Sequence, residues 1–303
     1  MIPFQCPDLQ SKDRYLDCLK NRSKYGCEYS YANLYMWGRQ RIAFRDGFAL
    51  IFSQYDRYSL YPFPVGQGDL KQALDAIIAD AGKRGIPCRI SSLGKAECEI
   101  LEALYPGQFH IHADRDSFDY VYRMEDLATL KGKKYQSKRN FINRFLANFP
   151  DNALIPLDSS TVHLAKEVAE KWFAHRLEAD PLADFRLERI ALDRAFSRLQ
   201  ALGLEGLILM AGGRPVAMTM GSFLSENTFD VHFEKALDGY DGAYPYINQS
   251  FARHLQEKYP ALRYLDREDD MGIPGLRKAK LSYHPDHMVE KYWARLWESD
   301  DER

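Results

Sequence analysis

Apolar residues in this chain recur with two different periods, and the change from one to the other divides it into elements. Leu70, Ala73, Leu74, Ile77 and Ile78 fall on one face of a 3.6-residue repeat, which predicts a helix over 70–83. Upstream, Arg41–Phe44 and Phe48–Phe52 flank Arg45-Asp46-Gly47, the composition of a tight turn joining two strands. A third strand is predicted near Arg57–Tyr61, and the loop PFPVGQGD leads from it into the helix. Residues 8–38 read as two helices, the second stopped by Gly38. Pro87–Ser91 reads as a strand, Lys95–Leu104 as a helix and Ser117–Tyr122 as another strand.

The pattern changes near residue 125. KGKKYQSKRNFINR (131–144) holds six cations and no acid and enters a helix whose apolar side is Phe141, Ile142 and Phe145. Helices are predicted over 160–178, 185–202 and 245–258, and strands over Glu205–Met210, Val216–Phe223, Thr228–Lys235 and Ala261–Asp266. The segments 41–91 and 205–266 share one layout: a hairpin with a glycine turn, a third strand, a glycine-rich loop, an amphipathic helix and a further strand. This predicts an α+β protein with a duplicated fold, mixed sheets flanked by helices, and domains at 1–125 and 126–303.

Composition narrows the function classes. With 303 residues, 46% hydrophobic and 28% charged, the chain is globular and has room for two domains. A net charge of −2 excludes a general coat for nucleic acid, so any anion site must be local. No apolar run approaches the ~20 residues of a membrane span, and the start lacks a secretory pattern. The five cysteines contain no C-x-x-C pair, which argues against a zinc ribbon or disulfide framework. A cytoplasmic protein without a metal is the expectation.

Four stretches combine residue types that suit chemistry. In 264–285, YLDREDDMGIPGLRKAKLSYHP, the ionised run Asp266, Arg267, Glu268, Asp269 and Asp270 ends a strand and precedes a short helix carrying Arg277, Lys278 and Lys280. Acids handed to a turn beside cations suit proton transfer next to an anion, although acids and cations also segregate this way to complement a helix dipole. In 229–234, alternation places Asp230, His232 and Glu234 together on one strand face, opposite Phe229, Val231 and Phe233. Such a trio can line a cleft and move protons, or simply face solvent. The loop ending at Gly242 opens a helix, whose free N–H groups suit a phosphate or an oxyanion. The 131–144 run suits phosphate groups of tRNA or of a lipid head. A solvated helix start explains it as well, though its cations sit at the unfavourable end of the dipole.

Taken together, KGKKYQSKRNFINRF, HFEKALDGYDGAYPYINQSFARHL and DREDDMGIPGLRKAKLSYHP resemble the motifs of the DUF2156 proteins, which are similar to the C-terminal domain of phosphatidylglycerol lysyltransferases. The resemblance covers nearly the whole chain. It implies a bacterial source and two tandem acetyltransferase-like domains related to the Fem peptidyltransferases; the active site is expected in the second, because the first half lacks an equivalent of the 264–285 run. It also implies transfer of an aminoacyl group from charged tRNA to a lipid hydroxyl. Position by position it points to His232, Glu234, Glu268, Asp269 and Lys280, and these with Asp266, where the family pattern has Asn, are the catalytic candidates. It also points to Lys134, Lys138, Arg139, Asn140, Asn143, Tyr246, Asn248, Gln249, Arg267 and Lys278, which with Gly242 of the loop before the helix are the substrate-binding candidates. The coenzyme A loop of acetyltransferases is matched at Gly242 but not at Gly239 or Tyr244.

Three functions follow for testing. The first is an acyl- or aminoacyltransferase, with aminoacyl-tRNA or acyl-CoA as donor and a lipid head group or small molecule as acceptor. In it Glu234, His232 or an acid of the 266–269 run takes the proton, and N–H groups near Gly242 with Lys278 or Lys280 steady the oxyanion. No Ser/His/Asp or Cys/His set is evident, so direct transfer is expected. The second is a non-catalytic module that binds an anionic ligand, and the third an acyl-CoA-dependent N-acyltransferase.

Overall fold

The computed structural model describes residues 1–20, 26–55 and 57–297. In chain order the first elements are α1 (Lys12–Leu19), α2 (Tyr31–Trp37), β1 (Gln40–Arg45), β2 (Phe48–Gln54), β3 (Ser59–Pro62), β4 (Val65–Gly66), α3 (Leu70–Arg84), β5 (Arg89–Leu93), α4 (Lys95–Leu104) and β6 (Phe109–Ala113). There follow β7 (Asp119–Arg123), α5 (Met124–Thr129), α6 (Gln136–Asn148), β8 (Ala153–Pro156), α7 (Val162–Ala179), α8 (Arg186–Ser197) and α9 (Leu199–Leu202). The chain ends through β9 (Glu205–Ala211), β10 (Arg214–Phe223), β11 (Thr228–Ala236), α10 (Ala243–Lys258), β12 (Tyr264–Asp266), α11 (Pro274–Leu281), β13 (His287–Val289) and β14 (Tyr292–Leu296).

Two compact units result, Met1–Asp119 with Val289–Arg303, and Tyr120–Met288. The last strand does not stay with the second half. β14 pairs antiparallel with both β5 and β6 in the first sheet. Its apolar Ala294 is fully buried there among Leu74, Ile90 and Leu101, an interior that α3 and α4 cover. The first sheet runs β1-β2-β3-β5-β14-β6, with β4 also on β2. Asp69 caps α3 by accepting the Gln72 N–H at 3.0 Å, and Gly85 ends it in the left-handed region.

The second sheet runs β13-β7-β12-β11-β10-β9-β8. Its core packs α10 on the strands through Phe251, Ala252 and Leu255 against Phe229, Val231 and Leu265. The repeated layout is present in both units. Each has an antiparallel hairpin, β1–β2 or β9–β10, and then two parallel strands joined across a helix, β3 to β5 over α3 and β11 to β12 over α10.

One irregularity overturns an expectation and decides where the site lies. Thr219 stands opposite Glu234 and Met220 opposite Phe233, but the next residue, Gly221, stands opposite Val231. His232 is therefore an extra residue, a β-bulge, and the alternation of faces reverses across it. Asp230 and His232 remain on one side. Glu234 turns to the other, where its carboxylate meets Asn248 of α10 at 3.1 Å, on the same helix that packs Phe251 against Phe229. Lys235 turns away to α7, pairing with Glu188 at 2.7 Å over the Trp172 ring. The three ionisable groups of β11 thus do not share a face. Gly221 permits this, because a Cβ there would lie 1.9 Å from the Asp230 carbonyl oxygen. Gly221→Ala should lower stability by at least ~2 kcal/mol, the scale of an overpacked core site, as a fall in urea midpoint at unchanged slope. An unchanged midpoint would mean that β11 does not carry the bulge.

Candidate functional site

The site is built on the short loop that follows β12. β11 and β12 run parallel over three pairs, Thr228–Asp230 with Tyr264–Asp266, and their register ends there while β11 continues to Ala236. The chain leaving β12 is held by α11. Lys280, buried despite its charge, donates its ammonium protons to the carbonyls of Arg267, Glu268 and Asp269. Asp270, fully buried, accepts two bonds from Arg277 at 2.9 and 2.8 Å, one from the Gly272 N–H at 2.9 Å and one from the Tyr120 hydroxyl. The Arg277 guanidinium holds the Asp270 carboxyl well below the usual carboxylate range. So anchored, the loop carries Glu268, Met271 and Gly272 at φ of +55°, +50° and +70°. Two of these are non-glycine residues in a costly conformation, which the anchors sustain.

Consecutive residues of this loop then point to opposite sides of the sheet. On the α10 side, Arg267 donates to Glu234 at 2.8 Å, and Asn248 donates to the other oxygen of the same carboxylate. Burial works against the guanidinium charge, and Glu234 together with Tyr122 and Tyr283 outweighs that, raising its pKa. Tyr283, just beyond α11, carries two cations on its ring, Arg267 at 4.9 Å and Lys138 of α6 at 3.9 Å. Lys138 also bonds the Ser282 hydroxyl at 2.7 Å, and burial, followed by the Arg267 charge, lowers its pKa. Two cations on one ring make a place for an anion.

On the opposite side, Glu268 meets His232 Nδ1 at 3.1 Å, Asp230 approaches the same nitrogen at 3.3 Å, and Ser222 Oγ lies 2.8 Å from His232 Nε2. A carboxylate only accepts, so Nδ1 carries a proton toward Glu268, while Nε2 shares a hydrogen bond with the Ser222 hydroxyl. The His232 side chain is fully enclosed, whereas that of Glu268 is 20% exposed. Glu268 is the face of this pair that a ligand can reach. Asp266 fixes it by accepting its backbone N–H at 2.8 Å. The ligand atoms of Asp230, His232 and Glu268 lie within 4.8 Å of one another, a spacing that also suits a divalent ion. In the first unit Cys27, Glu28 and Asp119 are similarly close, with Lys291 on Asp119 at 2.8 Å and on Glu28 at 2.6 Å.

Of the residues expected from sequence, His232, Glu234, Asp266, Glu268, Arg267, Asn248 and Lys138 come together at this point. Lys280 is nearby, but its protons are committed to the backbone, so it shapes the loop and does not meet an oxyanion. Asp269 contributes its carbonyl to Lys280. Gln249 is buried on α10. The others fall elsewhere. Arg139 donates to the carbonyls of Leu130 and Gly132, satisfying the chain before α6. Lys134 pairs with Asp126 at 3.2 Å, Tyr246 bonds Asn152 at 3.1 Å, and Asn140, Asn143 and Lys278 are exposed. Gly242 answers to packing, since a Cβ there would lie 2.2 Å from the Phe141 carbonyl oxygen. Sequence reasoning missed Ser222, Tyr283, Tyr120 and the anchoring role of Asp270 with Arg277. Only the i, i+7 spacing of the last pair carried a signal.

These features define a class: a tandem acetyltransferase-like protein whose second unit holds a polar site where two parallel strands part. The chain belongs to the family described as phosphatidylglycerol lysyltransferase, C-terminal, whose model matches residues 20–295. A conserved protein of unknown function from Bacteroides thetaiotaomicron is 38% identical, with a TM-score of 0.91 over 98% of this chain and all of that one. L-PGS from Bacillus licheniformis shares the fold at 14% identity, with a TM-score of 0.66 over 98% of this chain and 94% of that one. FemX shares it at 10% identity and a TM-score of 0.59, over 98% of each chain. An uncharacterized protein of Mycoplasmoides gallisepticum is 28% identical over 68% of this chain, and the match spans only 64% of that relative. Among the described residues no helix is long and apolar enough to cross a membrane.

The Asp270–Arg277 anchor sets an acid dependence. A carboxyl whose folded pKa is depressed contributes stability that is complete above its unfolded pKa, ~3.9, and is lost as pH falls toward the folded value. Asp270→Asn should therefore cost stability at pH 7 by ~1–3 kcal/mol, and the gap to the parent protein should narrow as pH falls below ~4. Urea unfolding at a series of pH values reads this directly; a gap independent of pH would remove the ion pair from the account.

Proposed function

We propose that this protein is an aminoacyltransferase that moves an aminoacyl group from charged tRNA to a hydroxyl or amine acceptor. The observation that carries this reading is the pair of polar clusters at the parting of β11 and β12, in a member of the lysyltransferase family. The donor ester lies in the opening where β11 and β12 part, between the two sides, its carbonyl oxygen toward Arg267 and a nearby phosphate toward Lys138 and the Tyr283 ring on the α10 side. The acceptor attacks the ester carbon and gives its proton to Glu268, and His232 behind it supports the carboxylate through Nδ1–H. The carbon–oxygen bond to the ribose then breaks, and the departing ribose oxygen takes the proton back. Arg267 replaces Lys280 and the Gly242 N–H groups as the group that steadies the oxyanion.

The exposed part of the basic run, Lys131 and Lys133 with Lys138 behind them, suits the tRNA backbone. An acyl-CoA donor has less support, because packing of α6 on Gly242 accounts for the glycine that a coenzyme loop would use. A lipid acceptor rests on the family alone.

Two measurements test the reading. Charged tRNA should bind more tightly than uncharged tRNA, and binding should weaken with salt at a log–log slope of about −2 to −3, as expected for a few phosphate contacts. Glu268→Gln should lower aminoacyl transfer at least ~100-fold, the usual scale for losing an acid–base partner. Binding of acetyl-CoA alone would make this an acyl-CoA enzyme. Ligand-induced stabilisation with no product from any donor would make it a binding module.

A further inference from the structure

The α10 side of the site holds three buried polar atoms that no group among the described residues satisfies: Thr219 Oγ1, Asn248 Oδ1 and Arg267 Nη1. Thr219 and Asn248 are only 0% and 3% exposed, and the Arg267 side chain 14%. Their arrangement follows from what surrounds them. Thr219 stands opposite Glu234 in the β10–β11 register, so both face the same way. Asn248 and Arg267 each fasten one of their two terminal atoms to the Glu234 carboxylate, at 3.1 and 2.8 Å, which leaves the other atom of each beside it. The amide of Asn248 cannot be turned round, because a carboxylate only accepts and so requires the NH2 group. A carbonyl acceptor, a guanidinium donor and a hydroxyl therefore remain for a ligand. Buried polar groups are rarely left so, and three around one carboxylate mark where a polar ligand completes them.

We infer that Thr219, Asn248 and Arg267 form the subsite that reads an α-aminoacyl group. The α-ammonium donates to Asn248 Oδ1 and Thr219 Oγ1, next to the negative charge of Glu234, and the acyl carbonyl oxygen accepts from Arg267 Nη1. A simple acyl group offers only the carbonyl and would leave the Asn248 oxygen buried and unmet. Sites built to hydrogen-bond a polar group reject analogues that lack it far more strongly than apolar pockets reject a missing methylene. This assignment rests on the aminoacyl-transfer reading above and names the part of the substrate that its donor site recognises. Any side chain is left open: selection falls on the amino group.

The test uses two stable probes, 3′-deoxy-3′-aminoacylaminoadenosine and the same compound without its α-amino group, with binding measured by calorimetry. The full-length protein should bind the amino compound at least ~10-fold more tightly. Thr219→Val keeps the side-chain shape and removes the hydroxyl; it should narrow that preference while raising the melting temperature, because an unmet buried hydroxyl is gone. Asn248→Leu should narrow it further. Equal binding of both probes by the parent protein overturns the subsite while leaving aminoacyl transfer standing. Binding of neither probe, with acetyl-CoA bound instead, overturns both. A lower melting temperature for Thr219→Val would mean that its hydroxyl is satisfied within the protein, and an unaltered preference in both variants would place the amino group elsewhere; either result overturns the assignment.

Discussion

One ammonium group sets the geometry of the second unit's site. The carbonyls of residues 267, 268 and 269 converge on Lys280 Nζ, and three successive carbonyls can do so only if the backbone between them turns sharply. Glu268 takes up that turn at φ +55°. The consequence is that Arg267 and Glu268, neighbours in sequence, leave the chain on opposite sides of the sheet. One meets Glu234 and the other His232. Burying a lysine is costly unless its protons are met, and here each has a carbonyl. The positive charge also lies beside a segment rich in acids, where it offsets their repulsion.

The β-bulge at His232 is the complement of that clamp. Without the extra residue, Glu234 would share the side of Asp230 and His232, crowding carboxylates together on one face and leaving Arg267 with no partner on the other. With it, β11 and the β12 loop divide their charges in the same way. Each side then has a carboxylate with a fixed hydrogen-bond partner, Glu234 with Arg267 on one and Glu268 with His232, beside Asp230, on the other. Pairing of this kind lets charged groups persist in a site largely shielded from water. It also separates two tasks: one carboxylate is spent on holding a cation and an amide in place, and the other keeps an exposed edge.

Much of this was legible from the chain. Hairpins, the helix over 70–84 and the strands after residue 205 follow from apolar period and turn residues, because the helix buries one face while a strand such as β10 is buried on both and reads as a continuous apolar run. Glu234, Arg267, His232, Glu268 and Asn248 all lie in the sequence motifs, and the fold brings them to one point. The missing parts share a cause. The bulge depends on Gly221, a glycine inside an apolar run whose need is set by the Asp230 carbonyl on another strand. Lys280 looks from sequence like any helix cation, and only its distance to three carbonyls shows that its charge is consumed. Strand β14 was missed because its sequence, YWARL, is short and gives no clue that its partners lie some two hundred residues earlier.

The two units differ at the place where their parallel strands part. Each sheet places the same succession of strands side by side: β1-β2-β3-β5-β14 in the first and β9-β10-β11-β12-β7 in the second. The fifth strand in each is antiparallel to its neighbour and comes from outside the repeated segment. At the end of the parallel pairing, the first unit has Pro62 beside Ser91, and the second has Asp230 beside Asp266. Beyond that point the first chain enters α4 within three residues, with Gly94 as its cap held by Glu97 at 2.9 Å. The second enters a strained loop that needs Lys280, Asp270 and Arg277 to hold it. Strain of that kind does not persist without a compensating interaction, and an acid–base pair set at the parting of two strands is a reason for the second unit to retain it.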